Sequence, residues 1–309
     1  MKIRMPFFLS LALLCWLPIA LAQTPPVESL SLDALAGTNL PRRFRTAAFL
    51  FGPTDGPTPS RQGLDSLRIS GSGQFSPGEL GVMLANLPGR VTLVDLRRES
   101  HGFLGDVAVS WYAPGNQGNP GLDAVGVAAV ESGLLAAIDG KPGVAVERVR
   151  KPLKPGEAQE RETLTMGPGW TRTEAEEAAT RGVGSFRVAV PDRQRPGDAA
   201  VDRYLLFYRS LSEDVWLHFH CRAGAGRTTS FMLMTDMLRN AREVAFEDLI
   251  ARQWLIGGVD LRDVSGKWDK AEDSRERLDF LRRFYDYAKA NPNGRPLLWS
   301  QWLAGAKTP

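Results

Sequence analysis

The chain has 309 residues, 43% of them hydrophobic and 24% charged, a balance that excludes disordered and collagen-like proteins. Its formal net charge of +3 is too small to call for a nucleic-acid partner, and two cysteines with three histidines leave little for a metal cage. The length fits one large domain or two modest ones.

Lys2 and Arg4 precede an apolar run from Met5 to Leu21 that ends in Ala20-Leu21-Ala22. Basic, then apolar, then small-x-small residues predict a secretory signal over residues 1–22. Pro18 and a run shorter than the about 20 apolar residues of a span argue against a transmembrane anchor. Leu13-Leu14 before Cys15 are not the small residues of a lipoprotein signal. The expected location is therefore periplasmic or secreted, with no membrane anchor after signal removal and with Cys221 as the one cysteine left.

Further along, Ser76-Pro77-Gly78-Glu79 reads as a capping box with proline at the first helical position, opening a helix to about Leu87. The apolar run from Arg90 to Leu96 predicts a central strand. Between Gly102 and Trp170 glycine and proline are frequent, and the alternation from Val144 to Arg150 predicts antiparallel strands. Thr173 with Glu176 forms a second capping box, and Gly182 ends that helix. A strand over Ser185–Val190 runs into the loop Pro191–Pro196. The next helix carries Val201, Tyr204, Leu205, Tyr208 and Leu211, with Asp198 as its expected N-cap. Val215–His220 has the composition of a buried strand, and Phe231, Met234 and Met237 have helical spacing. Ser274–Ala290 is a final amphipathic helix.

The chemistry concentrates between that last strand and its helix, in Cys221-Arg222-Ala223-Gly224-Ala225-Gly226-Arg227. Strand, tight loop and helix N-terminus together form an anion site, because N–H groups converge and the helix dipole adds positive potential. A thiol placed there ionises more easily, and Arg227 can hold phosphate oxygens with its planar fork. Thr228 is placed to hydrogen-bond the thiolate, while Gly224 and Gly226 let the backbone curl around a tetrahedral anion. A nucleotide loop would need Gly-Lys-Ser/Thr, which is missing here. The bland alternative for Cys221 is an inert buried thiol, and its neighbours argue for covalent phosphoryl transfer instead. Such chemistry needs an acid for the departing alkoxide, and Asp192 sits on a loop at a strand end, where α/β folds put ligand-facing residues. His218 and His220 alternate on the strand and read as core hydrogen-bonders; no metal site and no cofactor is expected.

Taken in order, these segments resemble the cysteine-dependent phosphatases. They are more similar to the protein-tyrosine-phosphatase-like phytases, whose loop reads His-Cys-x-Ala-Gly-x-Gly-Arg-Thr, as His220–Thr228 does. Leu40–Thr46, Gly71–Ser76 and Val94–Gly102 resemble further signatures of that family. Pro191-Asp192 resembles the end of the Trp-Pro-Asp acid loop, with Val190 in place of tryptophan and Arg193 in place of a frequent histidine.

The resemblance implies an α/β fold with a central, largely parallel sheet flanked by helices. Its core would comprise residues 23–101 and 171–309, interrupted by a small β-rich partial barrel over 102–170. It implies hydrolysis of phosphate monoesters of inositol hexakisphosphate through a phosphocysteine. Cys221, Arg227, Asp192 and Thr228 are the implied catalytic set. Arg222, Ala223, Gly224, Ala225 and Gly226, with Arg193, Arg45 and Lys267, are the implied substrate contacts, and His220, Glu99 and His101 support them. Two other readings use the same loop: a protein-tyrosine or dual-specificity phosphatase, and a phosphate-binding pseudo-enzyme.

Overall fold

In the computed structural model, which describes residues 29–149, 160–266 and 270–305, the β-branched and aromatic segments form two sheets. The expected secretory signal and Lys267 lie outside the described residues. In chain order the elements begin with β1 (Ser29–Ala34), β2 (Arg45–Thr46), β3 (Ile69–Ser72), α1 (Pro77–Ala85) and β4 (Arg90–Arg97). Next come β5 (His101–Leu104), β6 (Val107–Tyr112), α2 (Ala124–Ala136), β7 (Val144–Val149), β8 (Arg161–Met166) and β9 (Thr171–Arg172). Then follow α3 (Glu174–Thr180), β10 (Gly184–Val190), α4 (Asp198–Ser210) and β11 (Val215–His220). Four helices close the chain: α5 (Gly226–Asn240), α6 (Phe246–Leu255), α7 (Ala271–Ala290) and α8 (Trp299–Gly305).

One sheet has the order β10-β4-β11-β3-β2, parallel except for β2. Its register sets His220 beside both Ser72 and Asp95, and Val190 beside Arg97. The segments that follow β3, β4, β10 and β11 therefore leave one common edge, the carboxyl end of a parallel sheet, where such folds bind ligands.

The other sheet, β8-β7-β1-β6-β5-β9, is mostly antiparallel. It is not confined to 102–170. β1 pairs with β6 from Ser29↔Tyr112 to Ala34↔Ala108, and β9 lies beyond Trp170. The segment also holds α2, capped by the Asp123 side chain on the N–H groups of Val125 and Gly126. Local composition cannot report a strand borrowed from some 75 residues away, because pairing partners leave no mark on a single segment.

Both capping boxes form, Ser76 with Glu79 on α1 and Thr173 with Glu176 on α3. The N-cap of α4 is Gly197 and not Asp198. The Asp198 carboxylate instead accepts from Trp299 Nε1 (2.9 Å) and Arg195 Nη1 (3.0 Å), tying α8 to the acid loop's end. α5 is buried along Arg227–Leu238 and packs against α6 and α7, so the element that carries Arg227 is a core helix. Phe219, Phe231 and Tyr204 form an aromatic cluster beneath it, and Tyr204 hydrogen-bonds Thr235 at 2.7 Å.

Candidate active site

Cys221 directly follows β11 and is 3% exposed. The loop after it turns through Gly224, whose φ is +69°. A Cβ there would lie 2.3 Å from the Gly73 nitrogen, so the close approach of two backbones requires glycine. The loop is braced from outside: Gln74 N–H and the Arg42 guanidinium donate to the Arg222 carbonyl, and Arg45 Nη1 donates to the Gly224 carbonyl at 3.0 Å. With those carbonyls drawn outward, an anion in the cradle meets N–H donors at the start of α5.

Arg45 is therefore placed differently from the expectation. It is 1% exposed, and its fork also binds Arg43 O and Thr229 Oγ1, so it supports the loop from below and does not line the entrance. Burial lowers its guanidinium to about 10, which the thiolate's charge opposes.

Thr228 Oγ1 donates to Cys221 Sγ at 3.2 Å, the contact the sequence predicts. Burial opposes ionisation of this thiol, but Arg227 and the Thr228 hydroxyl outweigh it and hold its pKa below the ordinary value.

Arg227 is gripped by Glu99 through two 2.8 Å bonds, Nη1–Oε2 and Nη2–Oε1. Nη1 also reaches Leu96 O and Val190 O, the ends of β4 and β10. Nη2 lies 2.8 Å from Asp192 Oδ1. Among the described residues Nε has no partner, which leaves that N–H for an oxyanion held over the loop.

Behind this pair runs a chain of buried charges. Glu99 accepts from Arg97 Nε (2.9 Å), Arg97 Nη1 binds Asp33 Oδ2 (2.8 Å), and Asp33 Oδ1 accepts from Arg222 Nε (2.6 Å). Burial works against the Glu99 carboxylate, yet Arg227 and Arg97 hold it well below the usual range. Against the same opposition Arg97 and Arg222 lower Asp33 to about 2. Arg222 was expected at the pocket mouth; here its fork is turned to Asp33 and to Ser31 (2.8 Å) on β1, with its guanidinium 5.4 Å from the Tyr112 ring.

Asp192 stands two residues past β10. Its Oδ1 also accepts from the Arg193 N–H (3.1 Å), and its Oδ2 from Asn116 Nδ2 (2.8 Å). Gln117 Nε2 binds its carbonyl at 2.9 Å, and Asn116 Nδ2 touches Glu99 Oε1 at 3.3 Å as well. Sequence reasoning missed Asn116 and Gln117. The available signal is the turn-forming run Gly115-Asn116-Gln117-Gly118-Asn119, in which Gly115, Asn116 and Asn119 all have positive φ. Arg193, also at positive φ, is exposed next to Asp192 on the loop after β10.

The supporting histidines lie behind the cradle. His220 Nε2 pairs with Glu174 Oε1 at 2.7 Å, and His101 contacts the Glu99 carbonyl at 3.0 Å. His218 lies between Ser70 (2.9 Å) and Ser72 (3.0 Å), where burial keeps it neutral. Among the described residues no group of His, Cys, Asp and Glu could hold a metal ion. A cavity of about 330 Å³ beside Ile69, Leu217 and Arg239 lies at the opposite end of β3 and β11 and is separate from Cys221.

A cysteine and arginine on one strand–loop–helix unit, faced by an aspartate just past β10, two strands away in the same parallel sheet, define the tyrosine-phosphatase-like class of α/β proteins. Residues 94–239 match the family model for PTP-like phytases, described as "Inositol hexakisphosphate". A PTP-like phytase structure from Bdellovibrio bacteriovorus is 32% identical, covers 97% of this chain and all of its own, and superposes with a TM-score of 0.68. The PTP-like myo-inositol phosphatase from Mitsuokella multacida, solved with myo-inositol-(1,3,4,5)-tetrakisphosphate, is 34% identical with a TM-score of 0.80, covering 89% of this chain and 49% of that one. Effector protein hopD2 of Pseudomonas syringae pv. tomato is 33% identical over 249 residues, 78% of this chain and 52% of that one. The chain belongs to the PTP-like phytase family. It spans about half the length of the Mitsuokella and Pseudomonas proteins.

Proposed function

We propose that this protein removes phosphate groups from inositol hexakisphosphate and lower inositol phosphates through a phosphocysteine. The observation that carries the reading is two pairs brought to one sheet edge: Thr228 bonded to the Cys221 sulfur, and Arg227, on the same loop–helix unit, paired with Asp192. The Cys221 thiolate attacks phosphorus in line as the ester oxygen leaves. Loop N–H groups and Arg227 Nε hold the equatorial oxygens, where charge develops. Asp192, protonated at that moment, gives its proton to the alkoxide. It then takes a proton from the water that cleaves the S–P bond, and Thr228 stabilises the departing thiolate.

The substrate class rests on the family and on the inositol phosphate bound to the Mitsuokella relative. Arg193 on the acid loop and Arg42 beside the cysteine loop are exposed cations that further phosphates could meet. Export rests on the order of residues 1–22. A protein-tyrosine phosphatase is the second reading, since Cys221, Arg227 and Asp192 would serve that reaction equally.

The test is phosphate release from inositol hexakisphosphate and from a phosphotyrosine peptide, each with wild type and Cys221→Ser. Preference for the inositol substrate, abolished in Cys221→Ser, supports the proposal. Preference for the peptide moves the function to protein dephosphorylation, and turnover by Cys221→Ser would mean another nucleophile. Release into the periplasm or medium, lost when residues 1–22 are deleted, tests export.

A further inference from the structure

Asn116 stands at a junction that neither the motif nor the family match assigns. It is 3% exposed, sits at φ +58° on the turn after β6, and belongs to the six-stranded sheet's side of the molecule. Yet its amide nitrogen reaches Asp192 Oδ2 at 2.8 Å and Glu99 Oε1 at 3.3 Å, thereby touching both the acid and the carboxylate that grips Arg227. Its neighbour Gln117 fastens the Asp192 backbone at 2.9 Å. Among the described residues, the Asn116 Oδ1 atom is buried without a partner.

We infer that Asn116 is a positioning residue for the general acid, an inference that rests on the phosphatase reading above. In the arrangement seen, Asp192 faces donors only, from Asn116, Arg193 and Arg227, an environment that suits the carboxylate required of the base that activates water. A protonated Asp192 needs an acceptor for its O–H in the resting enzyme, and a half-turn of the amide brings Oδ1 to that place. One side chain thus serves both protonation states of the same carboxyl group; in the orientation seen it also ties that group to Arg227 through Glu99, a tie the turned amide gives up. A hydrocarbon side chain could do neither, and the half-buried acid would lose the partner on its Oδ2.

The substitution that tests this is Asn116→Gly, because glycine accepts the positive φ without strain. A role exerted through the acid depends on the leaving group. An alkyl phosphate such as inositol hexakisphosphate needs protonation of its alkoxide, whereas p-nitrophenyl phosphate releases a stable phenolate. Asn116→Gly is expected to lower kcat on inositol hexakisphosphate by roughly 10-fold or more, and to lower it several times less on p-nitrophenyl phosphate. Added to Asp192→Asn, it should cost little further on either substrate. Equal loss on both substrates, or a full additional loss in the Asp192→Asn background, would overturn the inference and leave Asn116 a structural residue. Gln117→Ala, which removes only the backbone tie, supplies a second variant should Asn116→Gly unfold. It should show the same leaving-group dependence at smaller size, and equal losses there would also count against the inference. If wild type hydrolyses neither compound, the phosphatase reading itself fails, which is distinct from either outcome.

Discussion

The two sheets contribute to the site in different ways. The parallel sheet supplies the groups proposed to react: Cys221 after β11, Arg227 on α5 and Asp192 after β10. The six-stranded sheet and its turns supply groups that hold them: Asp33 on β1, which binds Arg97 and Arg222, and Asn116 and Gln117 after β6. Glu99 and Arg97, at the end of β4 and just past it, join the two halves through buried ion pairs. Reacting groups sit where parallel strands end because N–H donors and a helix N-terminus converge there. Holding groups can come from any chain segment whose surface meets that edge.

This contrast makes substitutions in the first set kinetic and those at the ion-paired carboxylates of the second largely energetic, while Asn116 and Gln117, which touch Asp192 itself, act through it on turnover. The largest expected effect is Asp192→Asn, which should reduce turnover of inositol hexakisphosphate by about 100- to 10,000-fold while leaving the denaturation midpoint nearly unchanged. Retained turnover would remove Asp192 from the mechanism.

Glu99→Gln should act on both scales. It leaves the buried Arg227 and Arg97 forks facing a neutral amide, a loss of about 3–5 kcal/mol in stability by denaturant titration together with a fall in kcat. A kinetic loss without destabilisation would mean that Glu99 belongs wholly to the first set.

Asp33→Asn should be the mildest, about 1–3 kcal/mol, since it weakens the bonds to Arg97 and Arg222 without touching the reacting groups. Freed from Asp33, Arg222 could turn toward the cradle. A lowered KM for inositol hexakisphosphate with unchanged kcat would then sharpen the comparison by showing that the second sheet withholds a cation from the substrate.

The same two carboxylates give a pH dependence. Both are held in the fold below their unfolded values of about 4, so their stabilisation is complete above that range. It is lost as pH falls from about 4 toward 2, the folded value for Asp33. Melting temperature should therefore be flat on this account from about pH 7 to 5 and fall steeply below 4. In Asp33→Asn the acid decline should be shallower than in wild type, and an unchanged decline would mean that other groups govern it.

Much of this molecule was legible without coordinates because its decisive parts are contiguous. The strand, glycine loop and helix around Cys221 occupy one short stretch, as do both capping boxes and the strand that leads to Asp192, and each follows from local chemistry. Where the reading went astray, the cause was a partner distant in sequence. Asp198 lost its capping role to Trp299, a contact across 101 residues. The resemblance made Arg45 and Arg222 substrate contacts, and only their long-range partners, Gly224 and Thr229 for one and Asp33 for the other, show the bonds they make in the fold. The extent of the second sheet changed for the same reason, through β1.

By itself, then, the sequence determined the strand–loop–helix unit around Cys221, the place of Asp192 just past a strand and the family, since those depend on residue type at fixed short spacing. Tertiary structure alone decided which arginines remain available to an anion and which groups hold the acid. It did so because a buried charge must find its partner wherever folding brings one within about 3 Å, and that distance is not written along the chain.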